Sequence, residues 1–569
     1  MTPDALRTII IESVTPSIDD GRFPIKREAG DTVRVEADIF KEGHDLLCAV
    51  VLFRPKGASA WSESPMKHVD NDRWAGAFIT HDIGRWEYTI EAWTDLYGSW
   101  LEGLLKKHVA GEHVLSELLE GLRLVRAAMT RAPAAEARRI EQFDRRWSTA
   151  STEDEQIAVA RDPELVALLE AHPDRSRSSF HGRILEVVVD PLVARFGSWY
   201  EMFPRSQGKV PGRGATLREC EERLPEIREM GFDVLYMPPV HPIGRTNRKG
   251  KNNAVVAQPG DPGSPYAIGS EEGGHFAVEP SLGTLDDFDH FVRACSDHGM
   301  QVAMDFAIQC SPDHPWVREH PEWFFKRPDG TIKYAENPPK KYQDIYPLDF
   351  TCDAWESLWQ EQLRIVEFWA SHGVKIFRVD NPHTKPLRFW QWLIDRAKEK
   401  HPELIFFAEA FTRPKMMKVL GKAGYSQSYT YFTWRNTKHE LTEYLTELTR
   451  TEMKEFYRGN FFTNTPDILP FFLQTGGRPA FKIRAVLAAT LCSNWGIYNG
   501  FELCENRALP GREEYADSEK YELKVWDWDR PGNIKPLIRT LNLARKNNPA
   551  LQEYDNLEFY WADHEDIIV

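Results

Sequence analysis

The chain has 569 residues, 42% of them hydrophobic, and this length predicts several domains with enough apolar material for large cores. Its formal net charge of -15 argues against a general nucleic-acid surface. No stretch approaches the roughly 18 apolar residues that cross a bilayer, and the N-terminus does not resemble a signal peptide. The seven cysteines include no CxxC pair, which is typical of reduced thiols. We therefore expect a cytoplasmic protein with no nucleic-acid or membrane partner.

Residues 1–100 alternate between polar and apolar side chains. In TVRVEADIF the residues Val33, Val35, Ala37 and Ile39 fall on one face of a strand. Similar runs follow, separated by turn residues, and together they predict a small antiparallel β-sandwich over residues 1–100.

Residues 101–185 change to a helical pattern. HVLSELLEGLRLVRAAM and AAEARRIEQFDRRW have the spacing of amphipathic helices, and Pro133, Pro163 and Pro173 separate the segments. We predict a helical insertion of about four helices. Two roles stay open for it, a dimer interface or a structural support.

Residues 186–545 alternate between short apolar strands and helices. The eight strand candidates are WYEMFP, VLYMPP, QVAMDF, KIFRVD, LIFFAEA, YTYFTW, FFTNT and GIYNG. This order predicts a central (β/α)8 TIM barrel with loop insertions, making the chain a multidomain α/β protein. A doubly wound open sheet is the alternative, but it would be expected to have a phosphate-binding GxGxxG motif after the first strand, and none is present there.

Two connections in the predicted barrel are unusually long. They are residues 240–283 after the second strand and residues 307–352 after the third, the latter a loop subdomain. Long loops at the C-terminal face of a barrel are commonly functional. From residue 546 to residue 569 a strand-like run begins, which we interpret as the start of a truncated C-terminal β-domain.

Three strand candidates end in an acidic residue, and these acids are the predicted catalytic groups. FRVD ends in Asp380, FFAE in Glu409, and FFTNTPD in Asp467. Acids at barrel strand ends point into the mouth, where glycoside chemistry needs one carboxylate to attack and another to move a proton. Arg378 lies on the same strand face as Asp380 and would keep Asp380 ionised.

These motifs resemble the conserved regions of the α-amylase superfamily, glycoside hydrolase family 13. FRVDNPH, AEAF, NTPD and MDFAIQCSPDH match four of its regions. The resemblance implies that Asp380 is the nucleophile, Glu409 the general acid/base and Asp467 the transition-state stabiliser of a retaining enzyme. Two histidines of the common pattern are missing, since Gln309 and Cys310 stand in the first region and Pro466 in the fourth.

Longer motifs resemble one subgroup, the α-1,4-glucan:maltose-1-phosphate maltosyltransferases (the GlgE type). They include HPIGRTNRKGKNN, AENPPKKYQDIYPLDF, FRVDNPHTKP and SQSYTYFTWRNTK, and the resemblance covers nearly the whole chain. It implies transfer of maltosyl units from α-maltose 1-phosphate to the non-reducing end of an α-1,4-glucan through a covalent maltosyl-enzyme, with release of phosphate. No metal or other cofactor is expected, because the donor carries its own leaving group. A homodimer is expected from the same resemblance.

The resemblance also assigns a donor site. Lys249, Gln309, Asn337, Tyr342 and Asn381 are expected to bind the sugar and phosphate, together with Arg378. The basic side chains in the long loops suit a phosphate dianion; they are Arg248, Lys249, Lys251, Lys340 and Lys341. Tyr429, Tyr431 and Trp434 are candidates for stacking on the acceptor, or alternatively for packing around the sixth strand.

Other functions stay open at this point. An α-glucan hydrolase or a maltose–trehalose isomerase would use the same three acids, although the Gln309–Cys310 pair and the basic loops argue against both. A noncatalytic glucan-binding protein would be expected to lack at least one acid, and all three are present. The N-terminal sandwich is interpreted either as a glucan-binding module or as a structural one.

Overall fold

A computed structural model describes residues 7–338 and 340–569, and the side chains of residues 337 and 340 lie outside the described part. The chain divides into two compact units. The first unit extends to Val188 without residues 82–84, and those three residues group with the second unit, Val189–Val569.

The first unit begins with two antiparallel sheets. The strands that lie wholly or mainly in this unit are β1 (Ile10–Thr15), β2 (Ile25–Glu28), β3 (Thr32–Phe40), β4 (Leu47–Pro55), β5 (Ser62–Pro65), β6 (Lys67–Asp70), β7 (Arg73–Ile79), β8 (Gly84–Thr94), β9 (Ser179–Phe180) and β10 (Leu185–Asp190). One sheet has the order β1-β3-β7-β6 and the other β2-β10-β8-β4-β5. The apolar face of β3 is buried, and Phe78 contacts Phe53 at 4.7 Å and Tyr88 at 5.7 Å between ring centroids. The two sheets therefore share a core.

Helices fill the rest of the first unit. They are α1 (Leu96–Val109), α2 (Leu115–Arg131), α3 (Ala134–Thr149), α4 (Glu153–Ala160) and α5 (Pro163–Ala171). Their apolar faces meet in a core that includes the Trp100 and Trp147 rings. The structure has five helices where we predict four, because the Asp162 side chain caps a separate short helix that has Pro163 as its first residue.

The second unit contains the predicted barrel. The strands of this unit are β11 (Gly197–Glu201), β12 (Val234–Met237), β13 (Gln301–Phe306), β14 (Gln309–Cys310), β15 (Ala335–Asn337), β16 (Lys340–Tyr342), β17 (Tyr346–Pro347), β18 (Ile376–Val379), β19 (Ile405–Ala408), β20 (Gln427–Tyr429), β21 (Gly459–Phe462) and β22 (Asn494–Tyr498). Eight of them close in the order β11-β12-β13-β18-β19-β20-β21-β22, all parallel. The predicted TIM barrel is confirmed.

Helices separate most of the barrel strands. They are α6 (Leu217–Cys220), α7 (Leu224–Glu229), α8 (Leu285–Asp297), α9 (Pro315–Glu319), α10 (Trp355–Ser371), α11 (Leu387–Lys400), α12 (Pro414–Lys422), α13 (Lys438–Arg450), α14 (Phe471–Leu491) and α15 (Lys535–Asn547). Among the helices of residues 7–338 and 340–569, none is long and apolar enough to cross a membrane.

The sixth strand is shorter than predicted. Of YTYFTW only Tyr429 belongs to β20, and residues 431–434 form a 3-10 turn. The turn begins because the Thr430 side chain accepts a hydrogen bond from the Phe432 N–H group and so diverts the backbone.

The barrel interior is a packed aromatic core. Trp199, Phe407, Tyr429 and Phe462 fill it, with Phe407 and Tyr429 stacked at 4.4 Å between centroids. A filled interior places any site at the ends of the strands, as is usual for this fold.

The predicted strand-like run near the C-terminus is wrong in its secondary structure. Residues 552–569 contain no strand in the described structure. A strand needs a neighbour for its backbone hydrogen bonds, and these residues instead give carbonyl oxygens to side chains of α13. Lys438 binds the carbonyls of Ala562 and His564, and Arg450 binds that of Leu557.

Candidate active site

Three predicted site residues meet at the ends of adjacent strands. Arg378 lies in β18, Asp380 follows it, and Glu409 follows β19. The Arg378 guanidinium contacts Asp305 at 2.9 Å, Asp380 at 3.0 Å and Glu409 at 2.8 Å. Only 3% of Arg378 is exposed, so one buried cation holds three acids in place.

Two tyrosines complete the environment of Asp305. The hydroxyl groups of Tyr236 and Tyr266 donate to the same Asp305 oxygen at 2.6 Å and 2.9 Å. Burial raises the pKa of Asp305 to about 6, against the opposing effect of Arg378. Asp305 thus acts in the structure as a buried support for Arg378.

Asn381 has a left-handed backbone conformation directly after Asp380. Its φ is 43° and its ψ is 54°, and asparagine tolerates this region better than most residues. In this conformation its N–H group donates to Glu409 at 3.2 Å, and its side-chain amide donates to Asp380 at 3.3 Å. Asn381 therefore contacts both carboxyl groups of the pair.

The two carboxyl groups have pKa values shifted in opposite directions. Burial raises the pKa of Glu409 to about 8, and the negative charges of Asp380 and Asp467 add to this effect. Burial by itself would raise the pKa of Asp380, but the positive charges of Arg378, Lys385 and Lys520 outweigh this effect. The pKa of Asp380 is therefore lowered. Near neutral pH, Asp380 is therefore an anion beside a protonated Glu409. Pairs of acids separated in this way are typical of acid/base catalysis.

Asp467 lies in the loop after β21 and has its own cation. The Lys520 ammonium contacts both Asp467 oxygens, at 2.8 Å and 3.1 Å, and lies 4.7 Å from the centre of the Tyr266 ring. Lys385 binds the carbonyl oxygens of Asp380 and Asn381, each at 3.4 Å. Burial lowers the pKa of Lys385.

A cavity of about 1070 Å³ opens over these groups. Six of the predicted site residues line it: Gln309, Tyr342, Asp380, Asn381, Glu409 and Asp467. This volume is at the upper end of the range for small-molecule sites, which is enough for a disaccharide.

Other predicted residues lie elsewhere. Lys249 is buried and binds the Lys341 carbonyl at 3.4 Å and the Gln343 side chain at 3.2 Å, so it supports the loop after β13 without lining the cavity. Arg378 lies beneath the acids. Asn337 belongs to β15, but its side chain lies outside the described part.

The acceptor-stacking candidates are not supported by their positions. Tyr429 belongs to the barrel core. Tyr431 donates to the Thr412 carbonyl and Trp434 donates to Glu513 at 3.0 Å, and neither lines the cavity. Phe411, which does line it, contacts Trp434 at 5.1 Å between centroids. Packing is the better interpretation of all three candidates.

Sequence reasoning missed several side chains of the candidate site. Tyr266, Asp344, Lys385, Lys520 and Tyr521 all line the cavity. Two of them belong to a third long connection, residues 499–534 after β22, whose length is the signal that could have revealed them.

Two buried histidines and a cysteine could be taken for a metal site. They are His275, His314 and Cys310. His314 Nδ1 accepts from the Trp316 N–H group, so its other nitrogen donates to His275 Nδ1 at 3.1 Å. His275 Nε2 in turn donates to the Ala307 carbonyl at 3.0 Å. All four ring nitrogens are used, so this group fits a neutral structural pair better than a metal centre.

Two family profiles match this chain. One is described as "Alpha-1,4-glucan:maltose-1-phosphate maltosyltransferase, domain N/S" and matches residues 7–191. The other is described as "Alpha amylase, catalytic domain" and matches residues 200–461.

Similar proteins cover almost the whole chain. An α-1,4-glucan:maltose-1-phosphate maltosyltransferase of Myxococcus xanthus is 52% identical over 99% of this chain and 86% of its own length. The enzyme of the same name from Chlorobaculum tepidum is 51% identical over 98% of this chain and 83% of its own length. That from Cereibacter sphaeroides is 50% identical over 98% of this chain and 94% of its own length.

Solved structures are similar in fold. An α-amylase from Lactobacillus plantarum has a TM-score of 0.53 at 24% identity, covering 66% of this chain and 85% of its own. An α-amylase from Geobacillus thermoleovorans has a TM-score of 0.50 at 16% identity, covering 64% of this chain and 80% of its own.

Proposed function

Because the chain belongs to the family of α-1,4-glucan:maltose-1-phosphate maltosyltransferases, we propose that it moves maltosyl units from α-maltose 1-phosphate to the end of an α-1,4-glucan. The observation that carries the mechanism is the pair Asp380 and Glu409, one ionised and one protonated, at the floor of a cavity. This pair is what a retaining double displacement requires.

The donor phosphate is received by cationic and hydrogen-bonding side chains of the cavity lining. Lys385 and Lys520 line the cavity with ammonium groups, and Gln309, Tyr342 and Asn381 line it with hydrogen-bonding groups. A phosphate dianion would otherwise meet the negative charge of Asp380 beside the protonated Glu409, and the two ammonium groups offset that repulsion. Lys249 and Asn337 remain proposed donor-site residues, with Lys249 acting through the loop that it supports.

In the first step the Asp380 carboxylate attacks the anomeric carbon. The bond from that carbon to the phosphate oxygen breaks, and its electron pair leaves with phosphate. Glu409 gives its proton to the departing oxygen, although phosphate needs little such help. The product is a maltosyl ester of Asp380, and Asp467 holds sugar hydroxyl groups during the attack.

In the second step the 4-hydroxyl oxygen of the glucan end attacks the same carbon. Glu409, now ionised, accepts the hydroxyl proton, and the bond to Asp380 breaks to return the carboxylate. Two inversions retain the α configuration. Both carboxyl groups end in the protonation state in which they began.

The test is incubation with α-maltose 1-phosphate, with and without a malto-oligosaccharide. We expect acceptor-dependent phosphate release and products longer by two glucose units. Phosphate release that ignores the acceptor would instead indicate a hydrolase, and absence of release with an acceptor would reject the proposal.

The proposal extends to a cytoplasmic homodimer. All seven cysteines are unpaired, which suits a reducing compartment. In the first unit, Val109, Leu115 and Leu119 are exposed apolar side chains at the junction of α1 and α2. Such a group supports an interface between two copies of the chain.

A further inference from the structure

Arg205 is a buried cation that the proposed chemistry does not use. It lies in the 3-10 turn Pro204–Ser206, which follows β11, and only 8% of it is exposed. Its Nη2 atom donates to the carbonyl oxygens of Gly263 at 3.0 Å, Glu519 at 2.8 Å and Lys520 at 2.9 Å. One nitrogen atom therefore joins the turn after β11 to the loop after β12 and to the long connection after β22.

Stability alone explains these hydrogen bonds poorly. All three acceptors are carbonyl oxygens, and none is a carboxylate. The Nε and Nη1 atoms of Arg205 are buried and have no hydrogen-bond partner among the described residues. Burying a cation whose donors are only partly paired costs free energy that an apolar side chain would not cost. A role in fixing the two loops is therefore the better explanation of Arg205.

Both of these loops carry side chains that line the cavity. Tyr266 comes from the loop after β12, and Lys520 comes from the connection after β22. The Lys520 ammonium lies 4.7 Å from the centre of the Tyr266 ring and contacts both oxygens of Asp467. Arg205 is not among the described residues that line the cavity. Any effect of Arg205 on the site must therefore pass through the loops that it holds.

The buried carboxyl group of Glu519 anchors the same segment in a different way. It accepts hydrogen bonds from the Asn499 amide at 2.8 Å and the Trp526 indole at 2.9 Å, and it also binds the Tyr498 hydroxyl. These contacts stay within β22 and its own connection, whereas Arg205 ties that connection to two other loops. The relative placement of the loops therefore depends on Arg205.

We propose that Arg205 is a positioning residue for maltosyl transfer, acting through Lys520. By holding the carbonyl oxygens of Glu519 and Lys520, it fixes the backbone from which the Lys520 ammonium reaches Asp467. The inference rests on the proposed function, in which Asp467 holds sugar hydroxyl groups during the attack. A misplacement of about 1 Å in such a group can lower a rate by about 10²-fold.

The test is a double-mutant cycle between Arg205 and Lys520. Arg205→Met keeps a long side chain but removes every donor. With a malto-oligosaccharide present, it should lower kcat/KM for α-maltose 1-phosphate by about 10- to 100-fold. In the Lys520→Met background the same change should cost about 2-fold or less, because the side chain that Arg205 positions is already gone. A general stabilising role would give the same factor in both backgrounds.

Arg205→Lys is the conservative variant. A lysine ammonium has three N–H groups and can serve the three carbonyl oxygens that Nη2 binds, so kcat/KM should stay within about 3-fold of the wild-type value. A loss as large as that of Arg205→Met would mean that these hydrogen bonds are not what positions the loops. Arg205→Gln, which keeps a shorter amide donor, enters the same cycle if the methionine variant folds poorly.

The matched control is Arg545→Met. Arg545 on α15 is also fully buried and binds carbonyl oxygens, including those of Gly197 at 3.2 Å and Cys492 at 2.8 Å. Gly197 begins β11, so Arg545 lies at the end of the barrel opposite the strand ends that carry the site. Arg545→Met should lower stability and leave kcat/KM of the folded protein unchanged.

Two results would overturn the positioning role while wild-type transfer continues. One is an equal loss of kcat/KM in Arg545→Met, and the other is an undiminished effect of Arg205→Met in the Lys520→Met background. Absence of phosphate release by the wild-type protein with an acceptor would reject the proposed function itself, and the positioning role with it.

Discussion

Arg378 illustrates how one side chain organises the candidate site. Its guanidinium contacts Asp305, Asp380 and Glu409 together, and its burial removes competing water. The proposed nucleophile thereby gains a fixed direction and a lowered pKa.

Asp380→Ala should reduce maltosyl transfer by at least roughly 10⁴-fold, because the variant has no carboxylate to form the ester. Phosphate release in the presence of a malto-oligosaccharide measures the loss. Asp353→Ala, which removes an exposed acid, is the matched control and should retain activity. A loss far below this size would mean that another group attacks the sugar.

The raised pKa of Glu409 predicts the pH dependence of donor use. Glu409 keeps its proton below about pH 8 and loses it above, when a second charge also appears beside Asp380. We therefore expect kcat/KM for α-maltose 1-phosphate to fall as the pH rises through about 8. Initial rates between pH 6 and pH 10 measure this fall in kcat/KM. In Glu409→Gln the fall should disappear, and its persistence would assign the titration to another group.

Two long loops of the barrel are joined by histidines. His241 and His275 come from the loop after β12, and His314 comes from the loop after β13. Burial lowers the pKa of His241 to about 3 and that of His275 to about 4, and it also lowers that of His314. These rings stay neutral in the folded protein at any pH near neutrality.

This neutrality predicts a loss of stability in acid. Unfolded histidine binds a proton below about pH 6.5, whereas the folded rings bind one only near pH 4 or lower. Unfolding therefore takes up protons in that window, and the free energy of unfolding should fall by about 2 kcal/mol per ring at pH 5. Urea unfolding at pH 7.5 and pH 5 measures it.

The matched variants separate these rings from other titrating groups. His275→Gln should reduce the difference between the two pH values, although it also lowers stability at pH 7.5. His439→Gln, which changes an exposed ring on α13, should keep the wild-type difference. The same difference in both variants would contradict the assignment.

The sequence predicts those elements and site residues that depend on a local pattern of side chains. The strands β18 and β19 were predictable because their apolar runs end in acids, and Asp380 and Glu409 lie directly after them. The 3-10 turn at Tyr431 was not, because it depends on a side-chain hydrogen bond of Thr430. The length of its loop marks Lys520 only as a candidate, and the contact with Asp467 was not predictable, since only the closed barrel brings the two together.

The proposed homodimer can be tested by changing an exposed apolar residue of the first unit. Leu119→Glu places a charge among exposed apolar side chains, and burying an unpaired charge in an interface is costly. We expect light scattering to show a dimer for the wild-type protein and a monomer for this variant. Leu543→Glu on α15, also at an exposed leucine, is the control and should remain dimeric. A wild-type monomer at micromolar concentration would reject the proposed homodimer.

The division of the chain into two units has a consequence for how such proteins can diversify. Among the residues that the structure describes, those that line the cavity all lie between Asn252 and Tyr521, inside the second unit. Mutations in the first unit therefore change none of the described groups that line the cavity. Substitutions on the surfaces of the first unit can therefore accumulate in such proteins while the described lining of the cavity stays the same.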